Sequence, residues 1–209
     1  MAKILITSGP TRQYIDPVRY ISNASSGTMG RCLAEAAIAQ GHDVVVVSGP
    51  VNVEYPKQTT VVPVVSTQDM LDECLRIFPE CDGMIGAAAP CDYRPVEVAD
   101  HKIRKTGESL SIKMVETEDI VAAIGATKRE NQWTVGFALE SEDARFRALA
   151  KLIRKSCDLV VVNGVEAIES QDNSIEIISR EGRIVASESG GKIQVAKTVL
   201  DTIRTEIIE

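Results

Sequence analysis

The most distinctive residues of this sequence are of types that handle negative charge. Between Thr7 and Gly30 the chain reads TSGPTRQYIDPVRYISNASSGTMG, directly after the apolar run Lys3-Ile4-Leu5-Ile6. The run predicts a buried first strand, and a helix is expected to open at Ser25 or Ser26. A strand feeding a polar, glycine-containing loop into a helix offers an anion site. The free N–H groups of the first helical turn and the helix dipole both face such a loop. From about Ser8 to Ala24, the loop far exceeds the roughly two to six residues usual for this connection, a length that accompanies function or disorder. Its Arg12, Arg19 and Asn23, with Ser22, Ser25 and Ser26, favour function.

Two further basic groups stand downstream, each with a plain structural counterpart. Lys102, Arg104 and Lys105 form either a solvated strand edge blunted by lysine or a clamp for a polyphosphate, and their clustering in a chain of net charge −7 favours the clamp. Lys151, Arg154 and Lys155 complement a helix C-terminus or bind a ligand, and the residues leave both open. Asp92 follows a predicted strand end, where it either caps a turn or meets a ligand. Phe137, beside Gly136 at another strand end, either joins the core or stacks on a base. Ser25-Ser26-Gly27 with Gly30 would serve as a helix cap and a close-packing glycine, yet Arg19-Tyr20-Ile21-Ser22-Asn23 is more than a cap requires. Cys91 has no His partner to make it a nucleophile, and His42 after Gly41 reads as structural.

The elements that must position these residues follow from periodicity. Met29, Leu33, Ala36 and Ala37 recur at helical spacing, with Gly41 as the C-terminal stop. Asp43–Val47 is a β-branched run apolar on both faces, as in parallel sheets covered by helices on both sides. Thr60–Val65 is a third strand, placed near an edge by Pro63. Thr67 is expected to cap a helix through about Phe78 with Met70, Leu71, Cys74 and Leu75 inward. Gly83–Ala89 is a fourth strand of small residues. The segments His101–Lys105 and Glu108–Met114 alternate around Thr106-Gly107 and predict a protruding hairpin, a flap or dimer arm over about 99–115. A helix follows over about Thr117–Lys128, then a strand over Trp133–Ala138. Next come a helix from Ser141 with Ala144, Ala148, Leu149, Leu152 and Ile153 on one face, and a strand over Asp158–Asn163. The tail predicts a meander, Ser174–Ser179 and Arg183–Ser187, and a helix from about Lys192 to Ile208. The fold class is α/β: one domain over 1–209, a doubly wound, mostly parallel Rossmann-like sheet. Ligands of such sheets sit beyond the carboxyl ends of the strands at the switch point.

Composition narrows the function. A pI near 5.0 argues against a nucleic-acid binder. No apolar run approaches the roughly 20 residues that span a bilayer. Met1 directly precedes the first strand, so no leader is expected. Five cysteines without a C-x-x-C pair suit reduced thiols in the cytoplasm. Two histidines leave little material for a zinc site. The first turn lacks G-x-G-x-x-G, and the second strand ends Val47-Ser48-Gly49 without an acid for a ribose hydroxyl, which counts against a dinucleotide oxidoreductase. There is no G-x-x-x-x-G-K-[ST] either.

Ile21-Ser22-Asn23-Ala24-Ser25-Ser26-Gly27-Thr28-Met29-Gly30 resembles the signature of the phosphopantothenate–cysteine ligases. The resemblance extends through Ala87-Ala88-Ala89-x-x-Asp92-Tyr93-Arg94, Lys102-Ile103-Arg104-Lys105, Asp119-Ile120-Val121, Gly136-Phe137-Ala138, Lys151-x-x-Arg154-Lys155 and Asn163, over essentially the whole chain and in order. In many bacteria this ligase is fused behind a flavin-dependent decarboxylase. A chain starting at the ligase is similar to a stand-alone form, for which no flavin is expected.

The resemblance implies a reaction of coenzyme A synthesis. A nucleoside triphosphate, CTP in most bacterial members and ATP in eukaryotic ones, activates the carboxylate of 4′-phosphopantothenate. The amine of cysteine then attacks the acyl-nucleotide. By the same resemblance, Asn23 holds that intermediate and Lys102 is the catalytic lysine near the nucleotide phosphates. Gly9, Ser25, Gly27 and Gly30 match the triphosphate cradle. Gly86, Ala87, Ala88, Asp92, Glu118, Asp119, Ile120, Val121, Phe137, Lys151, Lys155 and Asn163 fall on nucleotide contacts. Ala88, Ala89 and Asp92 fall where phosphopantothenate binds, with Arg19 reaching its phosphate from the partner of a homodimer. Mg²⁺ is implied by the triphosphate, without a named protein ligand. The chain departs from the family pattern at Pro90-Cys91, at Arg104 in place of a common lysine, and at Leu139-Glu140-Ser141. The rival readings are an NAD(P) oxidoreductase and a non-catalytic nucleotide sensor.

Overall fold

The computed structural model describes residues 1–139, 144–163 and 172–209. Its centre is an eight-stranded sheet. β1 (Lys3–Ser8), β4 (Asp43–Ser48), β5 (Thr60–Pro63), β6 (Gly83–Gly86), β9 (Trp133–Leu139) and β10 (Leu159–Asn163) run parallel, and β11 (Asp172–Ser179) and β12 (Ile184–Gly191) close one side antiparallel. The spatial order is β12-β11-β10-β9-β6-β1-β4-β5. The chain winds outward from β1 to the edge strand β5, which carries Pro63 as expected. It then returns to the other side of β1, so the switch point lies between β1 and β6.

Strand periodicity assigns the two faces. Ile4 and Ile6 face α1 (Thr28–Ala39) and α5 (Lys192–Ile203), where Leu33, Ala37, Val195 and Val199 are fully enclosed. Leu5 faces the opposite layer, α2 (Thr67–Ile77) and α3 (Ile120–Thr127), with Met70, Leu71, Cys74 and Ile124. α4 (Ala144–Arg154) continues that layer through Leu152, against Val160, Val162 and Ala138. A strand covered on both sides has no polar face, which is why β1 and β4 are unbroken apolar runs. Burial also pushes the thiol of Cys74 up to about 12 and those of Cys81 and Cys157 up to about 11, so these cysteines are packing groups.

Several local expectations give way to tertiary context. α1 opens at Thr28 rather than at the serines, because Gly27 adopts φ +78° and turns the chain there. α2 is capped by Ser66 in a capping box with Asp69, not by Thr67, whose hydroxyl is drawn into a buried network. Leu75 and Ile153, expected inward, are 37% and 67% exposed. The expected start of the helix at Ser141 lies outside the described residues. α3 begins at Ile120 with Asp119 as cap, its side chain accepting from Ala122 N–H at 3.1 Å. β6 ends at Gly86. Its small residues fit large neighbours: a Cβ on Gly83 would lie 2.0 Å from the Trp133 ring. α5 runs on into a π-helical turn, Arg204–Ile208.

The long loop after β1 is not irregular throughout. β2 (Arg12–Tyr14) and β3 (Tyr20–Ser22) form an antiparallel ribbon. Tyr14 and Tyr20 meet edge to face at 5.3 Å, and the Arg12 guanidinium lies 4.5 Å over the Tyr20 ring. The hairpin also differs from expectation. Its ladder is at its base, β7 (Tyr93–Pro95) against β8 (Met114–Glu116), and His101–Lys105 does not pair with Glu108–Lys113. Gly107 does make the turn, at φ +88°. The charged, glycine-containing tip has no sheet face to bury, so only the stem is strand.

Candidate functional site

Beyond the carboxyl ends of β1 and β6 lies a cleft of about 500 Å³. Gly86 and Ala88 at the end of β6, Val121 and Ile120 of α3 and Phe137 of β9 form its apolar part. Asp92, Glu118, Asp119 and Lys155 line the polar part. A Cβ on Gly86 would stand 2.5 Å from Val121 Cγ2, so glycine there is what lets α3 approach the strand. Asp119 does two jobs: one carboxylate oxygen caps α3, and the other pairs with Lys155 Nζ at 3.0 Å and faces Arg154 at 3.8 Å. Thr7, Glu116, Thr117 and Arg154 also line the cleft. Neither a threonine nor a glutamate at a strand end carries a sequence signal of its own.

The wall from Ala88 to Asp92 is held by three separate ties. Ala89 N–H donates to Gly9 O at 2.9 Å, and Ala88 N–H to the Thr7 hydroxyl at 3.3 Å. Asn23 Nδ2 donates to Pro90 O at 2.8 Å and Ala89 O at 3.3 Å. Beneath the wall, Cys91 N–H donates to Thr11 Oγ1 at 2.9 Å, while Cys91 O accepts from Thr67 and Thr117 hydroxyls at 3.2 and 2.7 Å. Thr67 also accepts from Gln13 Nε2 at 2.9 Å and lies 2.8 Å from the Thr11 hydroxyl. Thr11, Gln13 and Thr67 are buried, so this network is satisfied internally. Pro90-Cys91, where the chain departs from the family pattern, thus sits on a fixed base.

The glycines expected to cradle phosphate are close-packed. Cβ atoms on Gly9 and Gly27, both at positive φ, would stand 2.5 and 2.8 Å from Val51 Cγ1. One on Gly30 would stand 2.1 Å from Ser8 Oγ. Ser8 Oγ donates to Gly27 O at 3.2 Å and accepts from Tyr55 OH at 2.8 Å; the Tyr55 and Ser48 hydroxyls are 2.9 Å apart. The Val51–Tyr55 segment, unmarked in the sequence, therefore presses α1 against β1. Gly27 at the N-cap offers α1 no side chain, and the first-turn N–H of Thr28 donates to Ser26 Oγ at 3.4 Å.

A third group centres on Asp16, whose side chain is 0% exposed. Oδ1 accepts from Val18 and Arg19 N–H, both at 2.8 Å. Oδ2 accepts from Arg19 Nη1 at 2.8 Å and Ile103 N–H at 3.2 Å. Burial by itself would raise the pKa of this carboxyl, but the three N–H donors and the guanidinium hold it below its ordinary value. Arg19 Nη1 also donates to Ile103 O at 3.1 Å. Asp-Pro is a turn signal, but nothing in it points to residue 103.

The structure thus gathers Gly86, Ala88, Asp92, Glu118, Asp119, Ile120, Val121, Phe137 and Lys155 around one cleft. Asn23 and Ala89 meet at its wall. Gly9, Ser25, Gly27, Gly30, Ala87 and Lys151 do not line it, and Asn163 ends β10, two strands from β6. Lys102 is exposed on the flap, outside the cleft lining, and Arg19 points to the flap of its own chain. Among the described residues no group of three or more His, Cys, Asp or Glu could hold a metal ion.

Comparison with known proteins places this arrangement. The family model for the DNA/pantothenate metabolism flavoprotein C-terminal domain matches residues 1–207. The chain is 38% identical over 203 residues to the coenzyme A biosynthesis bifunctional protein CoaBC of Haemophilus influenzae, covering 96% of this chain and 50% of that protein. The CoaBC of Vibrio vulnificus is 40% identical over 208 residues, covering 97% and 52%. The chain therefore spans about half the length of these relatives. Among solved structures, the C-terminal domain of a CoaBC superposes with a TM-score of 0.81 at 35% identity, covering 96% of this chain and 93% of that one. The DNA/pantothenate metabolism flavoprotein of Streptococcus pneumoniae shares the fold at TM-score 0.84 and 21% identity, over 98% and 99%.

Proposed function

The chain belongs to the family of DNA/pantothenate metabolism flavoprotein C-terminal domains, and from that premise we propose that it is a phosphopantothenate–cysteine ligase of coenzyme A biosynthesis. In the proposed reaction the 4′-phosphopantothenate carboxylate attacks the α-phosphorus of CTP and expels pyrophosphate. The amine of cysteine attacks the resulting acyl-CMP, loses a proton and expels CMP, leaving the amide. Family relatives named for coenzyme A biosynthesis support this reading.

The observation that carries it is the double role of the Ala88–Asp92 wall. One side lines the cleft with Phe137, Val121 and Lys155, and carbonyls 89 and 90 are gripped by Asn23. A nucleotide in the cleft and an acyl group beside Asn23 would thus meet across one rigid segment. That geometry favours an intramolecular-like transfer. In this assignment the base stacks near Phe137, Lys155 and the α1 N-terminus face phosphates, and Asn23 orients the acyl-nucleotide.

The charge balance explains the flap. Of the cleft-lining side chains, Asp92, Glu116, Glu118 and Asp119 are acidic, while Arg154 and Lys155 are basic. Four carboxylates against two cations repel a triphosphate. Lys102, Arg104 and Lys105 on the flap supply the missing positive charge when it closes, and Lys102 neutralises the phosphates as charge develops. Mg²⁺ would arrive on the triphosphate, held by phosphate oxygens and water with at most a carboxylate or two such as Asp92 or Glu118, which suits its preference for retaining water. We further propose a homodimer: Val18, Tyr20, Ile21, Tyr93, Val98 and Leu110 of the ribbon and flap are each exposed, and a second copy would cover them. No helix among the described residues is long and apolar enough to cross a membrane, and we place the enzyme in the cytoplasm with its small-molecule substrates.

The test is pyrophosphate release with 4′-phosphopantothenate, cysteine and Mg²⁺, run in parallel with CTP and ATP. Release with CTP supports the proposal in full. Release with ATP alone keeps the reaction and corrects the nucleotide. Silence with both, from folded protein, refutes it.

A further inference from the structure

Asp16 plays no part in the reaction as assigned above, yet it is the most enclosed carboxylate beside that site, and its two oxygens do different work. Oδ1 builds the local turn through Val18 and Arg19 N–H. Oδ2 serves the flap: it accepts the N–H of Ile103, 87 residues away, and the guanidinium of Arg19, which in turn donates to Ile103 O. Ala99 N–H donates to Ile15 O at 3.0 Å one turn earlier in the flap. A turn needs only the first oxygen. A buried carboxylate that spends its second oxygen on a distant backbone N–H, with a cation bridging the same residue, fixes where that backbone lies.

We propose that Asp16 is a positioning residue for the ligase reaction, a clamp at Ile103 that fixes the root from which the flap carries Lys102 to the cleft and holds the Arg19 guanidinium in place. The inference rests on the ligase reading. The clamp lies at the root of the basic tip, so the exposed Lys102 and Arg104, each one residue from Ile103, start from a fixed backbone position. Charge delivered by a flap is useful only if it arrives at a set place, since an ångström of misplacement costs about a hundredfold in rate.

Asp16→Asn is the discriminating variant. It keeps one acceptor for the turn and sets an amide N–H₂ against the Ile103 N–H and the Arg19 guanidinium, so it breaks the long-range half selectively. The expected result is a fall in kcat for pyrophosphate release of about a hundredfold, with a rise in KM for CTP because the flap cations also offset the carboxylates of the cleft. Residue-resolved NMR exchange should show faster exchange of the Ile103 amide while β1 and β6 amides stay protected. A purely structural role would instead lower protection throughout and leave the kcat of the folded fraction intact. Turnover like that of the parent in folded Asp16→Asn, or unchanged Ile103 protection, overturns the proposal. If Asp16→Asn does not fold, Arg19→Gln removes the bridging cation alone and must lower kcat and speed Ile103 exchange in the same way. Absence of turnover in the parent protein refutes the ligase reading instead, and the exchange experiment still decides whether Asp16 holds the flap.

Discussion

Gly86→Ala tests the most closely specified contact in the cleft. The added Cβ would stand 2.5 Å from Val121 Cγ2, against the ~3.5–4.0 Å at which carbon atoms rest. About 1.0–1.5 Å must be found from a helix that also bears the Asp119 cap. The displacement falls under overpacking, about 1–3 kcal/mol. Replacing glycine in a strand returns about 0.5–1 kcal/mol of backbone entropy. The net expectation is a loss of about 0–2.5 kcal/mol, and Val121, a side chain of the cleft, must shift. Val121→Ala removes the offending methyl, while its own Cβ lies at an ordinary 3.8 Å. Alone it costs about 1–2 kcal/mol as a partly buried truncation. Urea denaturation of the parent, both single variants and the double variant gives the coupling energy directly. The double variant should be more stable than the sum of the singles by about 1–3 kcal/mol, and CTP affinity, reduced about tenfold in Gly86→Ala, should recover in it. Additivity within about 0.5 kcal/mol would refute the close approach of α3 to β6, and with it this account of the cleft floor.

Other outcomes are as specific. Thr67→Val keeps the shape but leaves the Thr11 hydroxyl and Gln13 amide without an acceptor in a buried network, so chemical denaturation should show a loss of about 1–3 kcal/mol. Lys102→Gln should abolish most turnover without moving the melting temperature, since the side chain is exposed; a rate like that of the parent would remove Lys102 from the mechanism. Asn23→Asp sets a carboxylate against two carbonyls now 2.8 and 3.3 Å away, and the acyl-nucleotide should accumulate in a rapid-quench assay without cysteine being consumed. His42 accepts from Ala2 N–H at 3.1 Å, and burial, then the nearby N-terminus, lower its pKa below 6.5, with Asp82 opposing. Because the unfolded imidazole takes a proton first, this contribution is complete above 6.5 and is lost as pH falls through the folded value. Melting temperatures across pH 7.5 to about 5 should drop less in His42→Gln than in the parent; parallel slopes would refute the effect.

The layers of the fold were legible in the hydrophobic pattern. Unbroken apolar runs such as Val44–Val47 and Leu159–Val162 suit a sheet covered on both faces, and amphipathic periods placed the helices that cover it. The sequence also marked Asp92 and Phe137 as candidates, because polar or aromatic residues at strand ends stand where a doubly wound sheet binds ligands, while the roles of Asn23 and Lys155 came from the family resemblance. Tertiary structure alone decided what the glycines are for. At Gly9, Gly27 and Gly30 the space a Cβ would need is taken by Val51 and Ser8, partners that no local pattern announces. It decided the helix starts too, since Thr67, a good cap by type, is spent on a buried network and Ser66 caps in its place. Most of all it decided Asp16. An Asp-Pro turn is legible within three residues, whereas an oxygen that reaches Ile103 depends on how a ribbon and a flap fold towards each other. Periodicity records which side of an element is buried; it carries no information about which distant atom a buried polar group must find.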